Sequence, residues 1–282
     1  MRFENQETCF LSVLIPTFKN PVGVTQILDE IAPFLVDEIE LVISDDSDDN
    51  SVSLAVAPYL ENYPITYKKN ENPLGASHNW NHLISISRGK FIWLLHHDDV
   101  PVGFCGFRDY ILRLISESDR PEVIIFRSHV DFLSIRPSYG RFPQSIQNIV
   151  LKFPLLVLTG NFFGPPSVFV IDKRLGLDFD TRFRWKIDLE WYFRIFERFP
   201  KVSFVPMVIK SCYGGRFQIS REFVGRTRRM AEYEEWRLFC SIHSIRYRCV
   251  LLLAPVLLTI STAYRLINAA LEKNKLVKRF VR

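Results

Sequence analysis

Leu11-Ser12-Val13-Leu14-Ile15-Pro16-Thr17 decides the fold: a short β-rich run is closed by proline, and helix-spaced Val24, Ile27, Leu28, Ile31 and Leu35 follow it. Strand, loop and helix form the opening unit. Outward from it the same alternation recurs, with extended segments at 40–44, 65–69 and 90–95 and helices at 51–63 and 76–87. Each strand reads as short and apolar enough to be buried on both faces. Such βαβ units imply right-handed crossovers around a parallel sheet. The second half is less regular: 123–127 and 167–172 read as strands, 189–199 as a helix, and 202–213 as a further extended segment.

No internal repeat or low-complexity linker divides the chain. The expected organisation is an α/β domain over residues 1–218, a Rossmann-like, mostly parallel sheet flanked by helices, with a C-terminal helical and basic appendage over 219–282. At 282 residues and 48% hydrophobic, the chain has ample material for a core, so disorder is expected only at its extreme ends.

The net charge of +5 is unevenly placed. Many basic residues follow Arg216, an asymmetry rather than a uniformly basic surface, and nucleic acid is not expected as a partner. The five cysteines, Cys9, Cys105, Cys212, Cys240 and Cys249, are odd in number and form no CxxC pair. Neither a disulfide framework nor a zinc site is indicated, and a reducing cytosol fits best. Residues 1–8 are polar and carry Glu4 and Glu7, unlike a secretory signal, so export is not expected. The apolar stretch 249–267 is interrupted by Pro255 and contains Arg265. It falls short of the ~20 uninterrupted apolar residues of a spanning helix and reads as interfacial or buried.

In open sheets of this type ligands sit beyond the carboxyl ends of the strands, which brings loops 16–20, 45–50 and 96–99 to one crevice. In Leu94-Leu95-His96-His97-Asp98-Asp99, two carboxylates stand where a buried strand enters a loop. Hard carboxylate oxygens at Asp98 and Asp99 suit Mg²⁺ or Mn²⁺, which completes its shell with substrate phosphates. The competing reading is that the acids cap a following helix, given Pro101. Alternation along a strand puts His96 and His97 on opposite faces, so one of them faces the crevice.

In Asp45-Asp46-Ser47-Asp48-Asp49 a fixed carboxylate can read a nucleobase N–H or a ribose hydroxyl, while Asp49 or Asn50 can cap the helix that follows. Asn72-Pro73-Leu74-Gly75-Ala76-Ser77-His78-Asn79 sets glycine before a helix, where backbone N–H groups favour a diphosphate; a plain turn at Gly75 explains the same letters. Asp188, in Lys186-Ile187-Asp188-Leu189-Glu190-Trp191, can take a proton from an attacking hydroxyl or can cap its helix with Trp191 packed behind it.

Taken together and in this order, the segments from Leu11 to about Ser220 resemble the inverting family 2 glycosyltransferases of the GT-A fold. Ser12-Val13-Leu14-Ile15-Pro16-Thr17-Phe18 with Asn20 looks like the family's opening strand and nucleotide loop. Asp45-Asp46-Ser47-Asp48-Asp49 is similar to its Asp-Asp-Gly-Ser-x-Asp segment, one residue shorter, and implies that Asp46 contacts the base. Asn72, Gly75 and Asn79, then Arg88-Gly89-Lys90-Phe91-Ile92, match the approach to the metal-binding strand end. There the usual Leu-Asp-x-Asp-Asp is Leu95-His96-His97-Asp98-Asp99, with His96 in place of the first Asp. Gly160-Asn161-x-x-Gly164-Pro165-Pro166-Ser167 resembles the turn before the strand beneath the acceptor site. Asp188 matches the catalytic Asp of the Glu-Asp motif, with Ile187 where Glu is common, and Arg194 falls at the usual arginine.

The resemblance implies a metal-dependent, inverting transfer from a nucleoside-diphosphate sugar to a glycan hydroxyl. In this reading Pro16, Thr17, Asp45, Asp46, Asn72, Gly75, Asn79 and Asp98 bind the donor, Asp98 and Asp99 hold Mn²⁺ or Mg²⁺, and Asp188 is the base. The Gln-x-x-Arg-Trp motif of processive synthases is absent, so one sugar per acceptor is expected. The rivals are a nucleotidyltransferase making sugar nucleotides, which should carry a Gly-rich basic loop after the first strand, and a non-catalytic carbohydrate-binding relative, which needs neither Asp188 nor the Asp pair. Arg246, Arg248, the apolar run from Val250 and the basic tail 273–282 combine apolar surface with positive charge. That pairing suits an anionic membrane surface, the competing reading being a helix docked on the domain with a solvated basic tail. The expectation is a cytoplasmic enzyme, peripheral on the cytosolic face of the inner membrane, acting on a lipid-linked glycan in surface polysaccharide synthesis.

Overall fold

The computed structural model describes residues 9–131, 144–176, 178–212, 223 and 225–244. The apolar stretch 249–267 and the basic tail 273–282 lie outside them. Strand β1 (Leu11–Thr17) is buried at every position, as is β2 (Ile39–Asp45), and the two pair in parallel from Leu11↔Ile39 to Thr17↔Asp45. Between them runs α1 (Pro21–Ile31), whose Asn20 side chain accepts from Gly23 N at its start. Its apolar stripe, Val24, Ile27, Leu28 and Ile31, is fully buried. Each such side chain contributes roughly 1.5–3 kcal/mol of burial free energy, which is what holds the helix to the sheet.

Helix α2 (Ser51–Asn62), strand β3 (Ile65–Lys69), helix α3 (Ala76–Ile86) and strand β4 (Phe91–Leu94) complete the alternation. β3 pairs parallel with β2, and β4 parallel with β1. β3 departs from the expectation of two-sided burial, because it lies at a border of the sheet and is only partly covered. The remaining elements are β5 (Asp99–Val100), α4 (Phe104–Ser116), β6 (Val123–Asp131), α5 (Gln144–Lys152), β7 (Phe169–Asp172), α6 (Ile187–Glu197), β8 (Val202–Cys212) and α7 (Gly225–Ile242). The sheet order is β3-β2-β1-β4-β7-β6-β8-β5.

The sheet is mixed beyond β4. β7 runs antiparallel to both β4 and β6, β6 runs parallel to β8, and β5 is antiparallel to β8. A strand buried on both faces reads the same in either direction, so the letters of β7 carry no sign of its reversal. Helix α5 and the two-residue β5 are additions to the elements anticipated from sequence, and α4 is the helix that only the competing reading of Asp98 and Asp99 places after Pro101.

Register assigns the faces. Trp93 is opposite Val170, which is opposite Ile124, so these three and Phe126 share one face. There Trp93 packs on Phe104 and Phe107 of α4 and on Phe126. Phe169 points to the other face, against Trp191, Tyr192 and Phe196 of α6. Two aromatic clusters thus clamp the central strands between α4 and α6.

One close approach ties the first helix to the strand end that carries the acids. A Cβ added at Gly23 would lie 2.0 Å from the His97 carbonyl oxygen. Alanine normally favours a helix over glycine by up to about 1 kcal/mol. Here the backbone overlap costs roughly 1–3 kcal/mol and wins. Gly23→Ala should therefore lower the urea midpoint of unfolding; an unchanged or raised midpoint would contradict this packing.

Candidate active site

The first wall of the candidate site forms where β1 and β2 end. Asp46 N donates to Thr17 O at 2.9 Å, and Lys19 N donates to Ser47 Oγ at 2.8 Å, so the two loops are laced together. Lys19 adopts a φ of 48°, the left-handed turn that this lacing requires. Asp45 is wholly buried and accepts from Tyr67 Oη at 2.7 Å and Ser47 N at 3.0 Å. Asp46 accepts from Asn70 Nδ2 at 2.9 Å, Leu74 N at 2.6 Å and Gly75 N at 2.8 Å. The anion beside the N–H groups of Leu74 and Gly75 is thus the chain's own Asp46.

Gly75 has a φ of 82° and caps α3, which explains glycine at that place. Asn79 is buried, accepting from Ser44 Oγ at 2.6 Å and donating to Ser44 O at 3.2 Å, so it pins α3 to β2. Asn72 is exposed in the same loop. Asp49 caps α2 by accepting from Ser51 N at 2.9 Å, and Asp48 pairs with Lys19 at 2.8 Å. Thr17 presents a buried hydroxyl without a hydrogen-bond partner.

The second wall is the polar run after β4. The two histidines do diverge. His97 Nδ1 accepts from Phe18 N at 3.2 Å, and its carbonyl accepts from Asn20 Nδ2 at 3.3 Å, so it joins the first loop. His96 turns the other way: its ring packs at a tilt on Trp80 at 4.6 Å between centroids, and its Nδ1 lies 3.9 Å from Asp99 Oδ2. Asp98 and Asp99 are not helix caps, because α4 begins only at Phe104 behind Gly103. Asp99 instead enters the sheet opposite Ser211.

One ligand atom from each of His96, Asp98 and Asp99 falls within 4.8 Å of the others. Burial, and then the neighbouring Asp98 charge, push the Asp99 carboxyl well above the usual carboxylate range. Burial likewise holds His96 neutral, and its buried Nε2 has no hydrogen-bond partner. A neutral imidazole whose Nδ1 faces one of two crowded acids is a donor set that a divalent cation would relieve.

The third wall comes from the far side of the sheet. Asp188 stands in the first turn of α6, where the helix dipole favours a carboxylate; Lys186, not Asp188, is the N-cap. Its Oδ2 accepts from Asn161 Nδ2 at 2.9 Å and its Oδ1 from Leu189 N at 2.9 Å. Burial raises this carboxyl to about 6, opposed by those hydrogen bonds and by the Lys186 charge.

Asn161 and Ser167 bound one turn, and that turn joins the second wall to the third. Asn161 Nδ2 also donates to Gly164 O at 2.7 Å, where Tyr192 Oη donates too, at 2.7 Å. Six residues on, Ser167 Oγ accepts from His96 N at 2.9 Å and donates to Asp99 Oδ2. Gly164 has a φ of 119°, and a Cβ there would come within 2.9 Å of Ser128 Cβ. Ser167, Trp80 and Tyr192 were not singled out as site residues from sequence, since their partners lie far along the chain. Arg194 forms an i,i+4 pair with buried Glu190 at 2.6 Å, a link within α6.

Residues 12–134 match the family model described as glycosyl transferase family 2. The fold is similar to that of S. aureus TarS residues 1–349 in complex with UDP-GlcNAc, with 16% identity and a TM-score of 0.62 over 82% of this chain and 66% of that one. It is also similar to glucosyl-3-phosphoglycerate synthase from Mycobacterium tuberculosis in complex with Mn²⁺ and UDP-glucose. There the identity is 13% and the TM-score 0.57, over 84% and 80% of the two chains. The chain spans just under two thirds of the TarS fragment's length. At these identities the likeness is one of fold. No curated protein matches the chain in sequence.

The geometry sets a titration. Asn161 bonds the charged form of Asp188, so Asn161→Ala should raise the Asp188 midpoint above the parent value of about 6. Carboxyl-carbon NMR of labelled aspartate would read it, and a midpoint that falls or stays would remove Asn161 from the role.

Proposed function

We infer that this chain is a family 2 glycosyltransferase, its residues 12–134 matching the family model, and that it moves a single sugar with inversion from a nucleoside-diphosphate sugar to a hydroxyl of a glycan acceptor. The observation that carries the reading is the Asn161–Ser167 turn, which holds Asp188 at one end and His96 with Asp99 at the other. In this reading base and leaving-group site share one short piece of backbone.

In this reading the acceptor hydroxyl approaches Asp188. Its oxygen attacks the anomeric carbon from the face opposite the diphosphate, the bond to the diphosphate breaks, and the hydroxyl proton passes to the Asp188 carboxylate. A base with a midpoint of about 6 is ionised at neutral pH yet basic enough to accept that proton. His96, Asp98 and Asp99 would hold Mn²⁺ or Mg²⁺, and the grouping of one ligand atom from each supports adding His96 to the acid pair. The ion supplies offsetting charge for the departing diphosphate, typically worth several kcal/mol.

Pro16, Thr17, Asp45, Asp46, Asn72, Gly75, Asn79 and Asp98 form the donor side. The spare Thr17 hydroxyl supports a polar ligand there. Asp45, Asp46 and Asn79 serve it by fixing the loops, since their side-chain oxygens are already engaged within the chain. UDP-sugars are the first donors to test, because the similar structures are UDP-sugar complexes.

We place the acceptor on a lipid carrier at an anionic, cytosolic membrane surface, in surface polysaccharide synthesis. Support for this comes from sequence: the apolar run from Val250 and the basic tail 273–282. Among the described residues no helix is long and apolar enough to cross a membrane.

UDP release from UDP-glucose or UDP-GlcNAc with Mn²⁺, water serving as acceptor, tests the chemistry. Asp188→Asn should lower the rate about 10²–10⁴-fold while UDP still binds, and EDTA should abolish release from the parent. An undiminished Asp188→Asn rate, or turnover in EDTA, would refute the corresponding role. Vesicles containing phosphatidylglycerol should carry the protein upward on flotation at low salt and lose it at high salt. Its staying at the bottom at low salt would end the membrane placement.

A further inference from the structure

We propose that Glu235, on helix α7, is a positioning residue for Asp188, acting through the loop that starts α6. The inference rests on the reading of Asp188 as the base. Glu235 is 6% exposed, a carboxylate buried 47 positions beyond the residue it serves. Its Oε1 accepts from Arg184 N at 2.7 Å and Trp185 N at 2.8 Å, and its Oε2 accepts from Lys186 N at 2.7 Å. Three successive backbone N–H groups thus converge on one carboxylate, an anion nest set at the positive end of a helix. Lys186 is the N-cap of α6 and Asp188 stands two residues on, so the nest fixes the entry angle of the turn that aims the base.

The clamp has other jaws. The Arg228 guanidinium lies 5.1 Å from the Trp185 ring, the Lys186 ammonium lies 5.6 Å from the Trp236 ring, and Trp185 packs on Phe223 at 5.2 Å. Arg228 and Trp236 belong to α7. The helix is in turn seated along α6 by Phe239 on Phe193 at 4.9 Å and, just past its end, by His243 Nε2 at 3.2 Å from Glu190 Oε1. The Lys186 ammonium feels the charges of Glu232, Asp188 and Glu235 together, so the clamp and the base share one local field. Asn161 holds the Asp188 carboxyl from one side while α7 holds the backbone beneath it from the other.

The test is steady-state UDP release from UDP-glucose with Mn²⁺ for Glu235→Gln in the full chain, with kcat, KM and the pH profile measured together. A glutamine has one acceptor oxygen for three donors. The expected result is a kcat lower by about ten- to a hundredfold with KM for UDP-glucose unchanged, because the base is misplaced while the donor site is intact. The acidic limb of kcat should also move to lower pH, since a loosened turn admits water to Asp188. A parent-like kcat and limb, with only the melting temperature lowered, would overturn the positioning role. Should Glu235→Gln not fold, Arg228→Ala at a half-exposed site loosens the same clamp. Faster hydrogen exchange at the amides of residues 184–186 with reduced kcat supports the proposal, and parent-like values of both overturn it. Asp188→Asn measured alongside separates the two claims: if it keeps full activity, the base assignment fails first, whereas its inactivity beside a fully active Glu235→Gln removes the clamp alone.

Discussion

Buried carboxylates need donors, and the need to supply them shapes this molecule more than any other constraint. An ionised acid taken from water without partners is costly, so each one buried here draws backbone or side-chain hydrogens around it. Asp46 draws in the 70–75 loop and Glu235 draws in the 184–186 loop, while Asp99, which burial pushes toward its neutral form, still takes the hydroxyl of Ser167. Glu40 does the same at the opposite end of the sheet, accepting from Ser12 Oγ at 2.5 Å and from Arg88 Nε at 2.8 Å. Hydrophobic burial brings the strands together, while these acids decide where the connecting loops come to rest.

The opening strand, helix, strand alternation could be read because its periods are local. Val24, Ile27, Leu28 and Ile31 advertise a helix wherever they occur, and the β-rich run Leu11-Ser12-Val13-Leu14-Ile15 closed by Pro16 advertises a short strand. The reversal of β7 could not be read, since Phe169-Val170-Ile171 suits either direction and only the register with Trp93 and Ile124 settles it. The acids at 98, 99 and 188 were visible as chemistry at strand and helix ends. What joins them was hidden, because Asn161 meets Asp188 across 27 residues and Ser167 meets Asp99 across 68.

The aspartate run 45–49 teaches a related point. Similar letters in sequence perform four different tasks: Asp45 holds Tyr67, Asp46 holds the 70–75 loop, Asp48 pairs with Lys19, and Asp49 caps α2. A motif therefore marks a place where carboxylates are needed without saying which of them faces a ligand. The C-terminal helix makes the converse point, for α7 looked like an appendage on composition alone. Its polar surface residues obscured one buried glutamate whose partners lie about 50 positions earlier.

The two borders of the sheet have a consequence of their own. On one side β3 ends in Lys68 and Lys69, and on the other β5 is only two residues long. Repelling cations guard the first rim, and the second offers too little ladder for a newcomer to grip. Among the described residues, therefore, neither rim offers a long, uncharged ladder to a stray strand from another molecule.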